Sequence, residues 1–176
     1  MEKPASSYSI RPATGADIEA MRALERRAAQ LFRTIGFDFC ADGPIRDVAE
    51  HMRALECGLT LVAETAEGLI AGFAMFEPLD GDTHLIEIDV DPAHQKRGVA
   101  RRLIAAGEAY ARLKGFDGMT LTTYRDVPWN APYYRRLGFE DFRPGPEREG
   151  LIRTINEEAD LGFAFAPRIA MRKRLL

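Results

Sequence analysis

Only two cysteines, Cys40 and Cys57, occur in the 176 residues. Two thiols do not make the disulfide framework of a small secreted domain, so both are read as reduced. Cys57 is expected to be buried at a helix end, the usual fate of a free cysteine. No apolar run approaches the roughly 20 residues of a membrane span. The opening stretch, Met1 to Ser7, is polar and has no apolar signal core, so a cytoplasmic protein with no membrane partner is expected. An excess of basic residues is missing too: Lys and Arg number 24 against 27 Asp and Glu, a net charge of −3. That balance excludes a broad nucleic-acid footprint, and any basic patch must be local. The three histidines, His51, His84 and His94, lack metal-ligand spacing, so no metal site is expected. Neither a Gly-Lys-Ser/Thr phosphate loop nor an early G-x-G-x-x-G follows the first strand.

What is present is ordinary for a globular protein, with a hydrophobic share of 46% and a charged share of 29%. Repeats, low-complexity tracts and a clear linker are lacking, so residues 1–176 read as a single domain large enough to bury a core. Tyr8 to Pro12 alternates as a first strand. Thr14 and Asp17 fit a capping box, and Ile18, Met21, Leu24, Ala28 and Leu31 recur at helical spacing up to Gly36. Phe32, Phe37 and Phe39 lie in or beside the following loop, with core packing as their expected role. Ile45 to Glu56 reads as a second helix closed by Gly58. The period then changes: Leu59–Thr65 and Leu69–Phe76 form a hairpin across Ala66-Glu67-Gly68. Pro78, Gly81 and Asp82 make the next turn, and Thr83–Val90 the next strand. A long helix runs from Val99 to Lys114. Met119–Tyr124 should lie parallel to Leu85–Val90, because a helix crosses over between them. Asn130 caps a short helix over Tyr133–Leu137, with Pro132 in its first turn. Phe139–Phe142 is strand-like, 147–161 helical, and Arg168–Arg172 a final strand.

The most informative segment is Gln95-Lys96-Arg97-Gly98-Val99-Ala100. Strand, basic glycine turn and helix start follow one another closely there. Such a turn aims several unpaired backbone N–H groups and a helix dipole at one spot, which suits a phosphate or pyrophosphate. Lys96, Arg97, Arg101 and Arg102 add positive charge around it.

With Gln95-x-x-Gly98-x-Ala100 in that slot, and strand, two helices, three antiparallel strands, helix, strand, helix, strand, strand as its order, the chain resembles the GNAT superfamily of acyl-CoA-dependent N-acetyltransferases. A second block, Asn130-Ala131-Pro132-Tyr133-Tyr134-Arg135-Arg136-Leu137-Gly138-Phe139, is similar to the family's Asn, Tyr and Gly-Phe block, although Asn130 stands closer to Tyr134 than in many members. The resemblance spans Tyr8 to about Phe142. It implies an α/β (α+β) fold with a mixed, mostly antiparallel central sheet, a splayed parallel pair of fourth and fifth strands, and helices on both faces. In the family a bulge in the fourth strand causes the splay. The resemblance also implies acetyl-CoA as co-substrate. Gln95, Lys96, Arg97, Gly98, Val99, Ala100 and Arg101 would hold its pyrophosphate, and the backbone of Ile88, Asp89 and Val90 would pair with the pantetheine arm as an added strand. Asn130 and Tyr134 would complete the cofactor site. A homodimer is compatible with the resemblance.

Acetyl transfer needs a neutral amine, a polarised thioester carbonyl and a protonated leaving thiolate. A lysine-like amine, with a pKa of about 10.4, is mostly charged at pH 7, and a carboxylate can take its proton. Glu87 is the first candidate for that base, with His84 and Asp89 as competitors. Tyr134, protonated at pH 7, is the candidate acid for the CoA sulfur. A backbone N–H near Val90 would polarise the carbonyl. No Ser-His-Asp or Cys-His arrangement is apparent, so direct attack is expected, without an acyl-enzyme. The acceptor, a primary amine of a small molecule or peptide, would meet the early helices, the Phe32–Asp42 loop, Thr123–Trp129 and the C-terminal segment, with Asp38, Asp42 and Glu87 available to a cationic amine. Two alternatives stand beside this one: a non-catalytic acetyl-CoA-binding regulatory module, and a different nucleotide-phosphate binder using the same turn.

Overall fold

The computed structural model describes residues 8–160 and 167–175. The polar opening stretch and Leu161 lie outside the described residues. Seven strands among the described residues form one mixed sheet in the order β1-β2-β3-β4-β5-β7-β6. They are β1 (Ser9–Pro12), β2 (Leu59–Glu64), β3 (Ile70–Leu79), β4 (Asp82–Val90), β5 (Gly118–Tyr124), β6 (Glu140–Phe142) and β7 (Arg168–Arg174). The helices are α1 (Ile18–Ala29), α2 (Asp38–Ala41), α3 (Val48–Cys57), α4 (Val99–Lys114), α5 (Ala131–Arg136) and α6 (Glu149–Asp160). β1 and β2, and β2 and β3, pair antiparallel. β4 and β5 are parallel, as the α4 crossover requires. β7 is inserted between β5 and β6, antiparallel to both.

The hairpin joining β3 to β4 turns at Asp80 and Gly81, with φ of 50° and 83°. Two left-handed residues make the tight turn that matches strand twist. Pro78, expected in the turn, is instead an exposed residue of β3. Just beyond the end of β4, the Asp91 N–H donates to the Ala71 carbonyl of β3 at 2.9 Å.

The chain comprises two compact units, Met1–Phe76 with Glu87–Gly107, and Glu77–Ile86 with Glu108–Leu176. In the first, α1 turns Met21 and Leu24 inward, β2 and β3 contribute Val62 and Phe73, and α4 contributes Leu103 and Ile104, all buried. Helix α1 follows a short 3-10 turn at Gly15–Asp17. The Thr14 N–H donates to Asp17 at 2.8 Å, as the capping-box spacing predicts. Arg11 grips the same carboxylate through both terminal nitrogens at 2.9 Å. The Arg11 bonds, helped by Thr14 and opposed by burial, hold the Asp17 carboxyl at about 2.

Three expectations are corrected in this unit. Helix α3 begins at Val48 rather than Ile45, because Asp47 and Glu50 exchange reciprocal caps at 2.8 and 2.7 Å. Cys57 is exposed: α3 buries His51 and Ala54, and a second step of three residues turns away from that face of a 3.6-residue helix. Phe32, Phe37 and Phe39 are not core residues. They stack on one another, with ring centroids 6.3 and 5.4 Å apart, and Phe39 is exposed.

The second unit packs Met119 and Leu121 of β5 against Met171 of β7, with Phe139 and Leu151 also buried. Asp82 is fully buried and accepts from Arg172 at 2.7 and 2.9 Å and from Arg148 at 2.6 Å. Burial pushes its carboxyl up, but the two arginines outweigh it and hold Asp82 below the usual range. Removing one partner of such a cluster leaves buried charge uncompensated, so Asp82→Ala should cost about 3 kcal/mol or more in urea unfolding at pH 7. A depressed native pKa stabilises above the unfolded value of about 3.9 and loses that contribution as pH falls through the native one. The wild-type advantage over Asp82→Ala should therefore shrink below pH 4. An equal stability of the two proteins at pH 7 would refute the role assigned to Asp82.

Candidate functional site

Within the first unit the segment after β4 has the geometry of an anion site. Asp91 caps a one-turn 3-10 helix, Pro92–His94, accepting from the Ala93 N–H at 3.0 Å. Arg27 holds the same carboxylate at 2.8 and 2.6 Å. His94 meets the Tyr8 hydroxyl at 3.0 Å, and the Gln95 side-chain amide donates to the Val90 carbonyl at 3.4 Å. The chain then passes through two left-handed residues, Lys96 at φ 58° and Gly98 at φ 78°. The Arg102 N–H bonds the Gly98 carbonyl at 3.1 Å. That bond is the first of α4, so the N–H groups of Val99, Ala100 and Arg101 have no helical acceptor. Lys96, Arg97, Arg101 and Arg102 are exposed. Among the described residues, none of the four enters an ion pair. Unneutralised cations around unpaired N–H groups at a helix start fit a diphosphate. A Cβ at Gly98 would meet nothing within 4 Å, so its positive φ, not protein crowding, requires glycine.

Helix α4 rests close upon the strands at Gly72, where a Cβ would come within 2.9 Å of both the Asp89 carbonyl oxygen and Val99 Cγ1. Val99, Leu103 and Ile104 are buried, which keeps the basic positions 101 and 102 outward. The end of β4 carries Glu87, Ile88, Asp89 and Val90, all partly exposed. Among the described residues the β4–β5 ladder runs from Thr83–Met119 to Leu85–Leu121.

The two acids differ. Glu87 Oε2 accepts from Arg46 Nε at 3.3 Å. Burial, aided by Glu87 and Glu25 and opposed by Arg46, pushes the Asp89 carboxyl well above the usual range. Asp38 and Asp42, considered for the acceptor, both pair with Arg33.

The second unit holds the other expected residues. Tyr134 on α5 is 8% exposed, with its ring edge-on to Tyr133 and Phe139 at 5.6 and 5.8 Å. It is more buried than its neighbour Tyr133. Asn130 precedes α5, but its side chain makes no capping bond; its carbonyl accepts from the N–H groups of Tyr133 and Tyr134 at 2.8 and 3.0 Å. His84 is buried, its Nδ1 3.0 Å from the Thr120 hydroxyl, which leaves it poorly placed as a base. Sequence reasoning missed Gly72 and Arg46. An isolated glycine inside a strand is a signal of close backbone approach; Arg46 lies 41 residues from its partner, with no local pattern to mark it.

A mixed sheet whose fourth strand leads through a basic left-handed turn into a long helix defines an α/β protein with a candidate anion site at that turn. The model of the acetyltransferase (GNAT) family matches residues 26–139, and the chain belongs to that family of acyltransferases. A mycothiol acetyltransferase of Clavibacter michiganensis is 35% identical over 86 residues, 47% of this chain. That match covers only 27% of the relative's length. A GNAT family acetyltransferase from Brucella melitensis, solved with acetyl-CoA, is 28% identical with a TM-score of 0.59, over 80% of this chain and 90% of that one. The Escherichia coli ribosomal-protein-S18-alanine N-acetyltransferase shares the fold at 20% identity and a TM-score of 0.68, over 96% and 94% of the two chains. No helix among the described residues is long and apolar enough to cross a membrane.

Gly98→Glu adds negative charge at the turn and forces a side chain into a left-handed conformation costing about 1–2 kcal/mol. Calorimetry should show CoA affinity lost in this variant and reduced far less in Gly98→Ala. Wild-type affinity in Gly98→Glu would place CoA elsewhere.

Proposed function

We propose that the protein transfers the acetyl group of acetyl-CoA to a primary amine of a small molecule or peptide, by direct attack within a ternary complex. The observation that carries this reading is the basic turn, with its left-handed Lys96 and Gly98, orphan helix N–H groups and unneutralised cations. Gln95 ties the turn to Val90, while Lys96, Arg97, Gly98, Val99, Ala100 and Arg101 hold the diphosphate. The partly exposed end of β4 offers the backbone of Ile88, Asp89 and Val90 to the pantetheine amides as an added strand.

Glu87 acts as the base in this scheme. Its carboxylate is partly exposed and ion-paired to Arg46, which favours the charged form a base needs. With one ammonium proton on Glu87, the neutral amine attacks the thioester carbonyl, the C–S bond breaks, the thiolate takes the Tyr134 hydroxyl proton, and the proton then shed by the amide nitrogen restores the phenol. Tyr134 takes this role from its place in the Asn-Tyr-Gly-Phe block. The acceptor amine arrives as a cation, which the acids around Glu87 favour; mycothiol acetylation belongs to the relatives that carry that name.

Incubation with acetyl-CoA and a panel of amines, following free CoA thiol, should give amine-dependent release. Tyr134→Phe should lower kcat by roughly 10²-fold or more and leave acetyl-CoA affinity within a few-fold of wild type. Tight acetyl-CoA binding with no release across the panel would favour the regulatory module, and an unchanged rate in Tyr134→Phe would remove the phenol from the mechanism.

A further inference from the structure

A buried run of side chains leads to Glu87 within the first unit. His51 on α3 is fully buried, edge-on to Phe73 with ring centroids 5.9 Å apart. Its Nε2 lies 3.7 Å from Glu25 Oε2, beyond hydrogen-bond distance. Among the described residues, neither ring nitrogen of His51 nor that Glu25 oxygen has a hydrogen-bond partner. The other Glu25 oxygen accepts from the Arg46 backbone N–H at 3.1 Å. The Arg46 guanidinium in turn reaches Glu87 at 3.3 Å and Glu50 at 3.5 Å. Leaving buried polar atoms unbonded costs stability, so a device for stability alone does not explain Glu25 and His51. What Glu25 does geometrically is fix the backbone of the irregular segment that carries Arg46.

We propose that Arg46 is a positioning residue of Glu87: anchored from behind by Glu25, its guanidinium fixes where the Glu87 carboxylate points and favours its charged form. This rests on the reading of Glu87 as the base. Arg46 also faces Glu50 and Glu25, and Glu87, Glu25 and Arg46 all act on Asp89 of the same strand. Like charges drive a carboxyl to hold its proton, and a neighbouring cation reverses the effect. The burial of Arg46 works against its charge, but Glu87, Glu50 and Glu25 outweigh it and hold the guanidinium above its ordinary range. Arg46 is thus a cation that favours the ionised form of Glu87.

The test follows the Glu87 carboxyl carbon by 13C NMR against pH, its resonance assigned by its loss in Glu87→Gln. In Arg46→Met the titration midpoint should rise by about one pH unit or more, and in Arg46→Lys it should stay near wild type. Should Arg46→Met fail to fold, Arg46→Gln reads the same midpoint. With whichever amine releases thiol fastest, the acid limb of kcat/KM should move up with the midpoint in Arg46→Met, while acetyl-CoA affinity stays put. An unchanged midpoint and unchanged acid limb overturn the proposal. Two failures are distinguishable: full turnover in Glu87→Gln removes Glu87 from the reaction and the proposal with it, whereas an inactive Glu87→Gln beside an unaltered Arg46→Met keeps Glu87 as base and rejects Arg46 alone.

Discussion

The contact at Gly72 is the constraint on which the first unit's chemistry depends. One missing side chain lets the first turn of α4 and the end of β4 approach the same point of β3, with 2.9 Å to the Asp89 oxygen and to Val99. Any Cβ there would have to displace backbone, which a close-packed interior resists. With helix and strand held so near, the connection between them has little freedom. Its two left-handed residues, the Asp91 cap and the Gln95–Val90 bond then follow. The orphan N–H groups are a consequence of where α4 is forced to begin.

Charge organises what surrounds that connection. The cations on the turn and first helical turn stand without acidic partners among the described residues, whereas several others of the first unit are paired: Arg27 with Asp91, Arg11 with Asp17, Arg33 with Asp38 and Asp42. In a chain of net charge −3, four unneutralised cations in one short segment form a local field for an anion. At the other end of the same strand segment, carboxylates gather around Arg46. A ligand negative at one end and cationic chemistry at the other match this polarity.

Much of this was legible in the sequence because the signals are local. The basic glycine turn, the helical spacing of Val99, Leu103 and Ile104, the Thr14–Asp17 box and the parallel fifth strand need only neighbours within a turn or two. The corrections came from sidedness and from long range. Hydrophobicity alone placed Cys57 and the three phenylalanines inside, whereas helix phase and the loop's mutual stacking put them at or near the surface. The turn narrowed to Asp80 and Gly81 because Pro78 was read as a breaker when it lies at an exposed strand position. The Glu25–Arg46–Glu87 run joins residues 21 and 41 apart in sequence, and no spacing rule reaches that far. The insertion of β7 between β5 and β6 is hidden for the same reason.

The central claim is that backbone N–H groups at the opening of α4 grip the diphosphate of CoA. Amide NMR during a CoA titration tests it most directly. The account predicts that the resonances of Gly98, Val99, Ala100 and Arg101 shift earliest and furthest, in step with saturation. If those amides stay in place while others in the protein titrate with CoA, the account is contradicted.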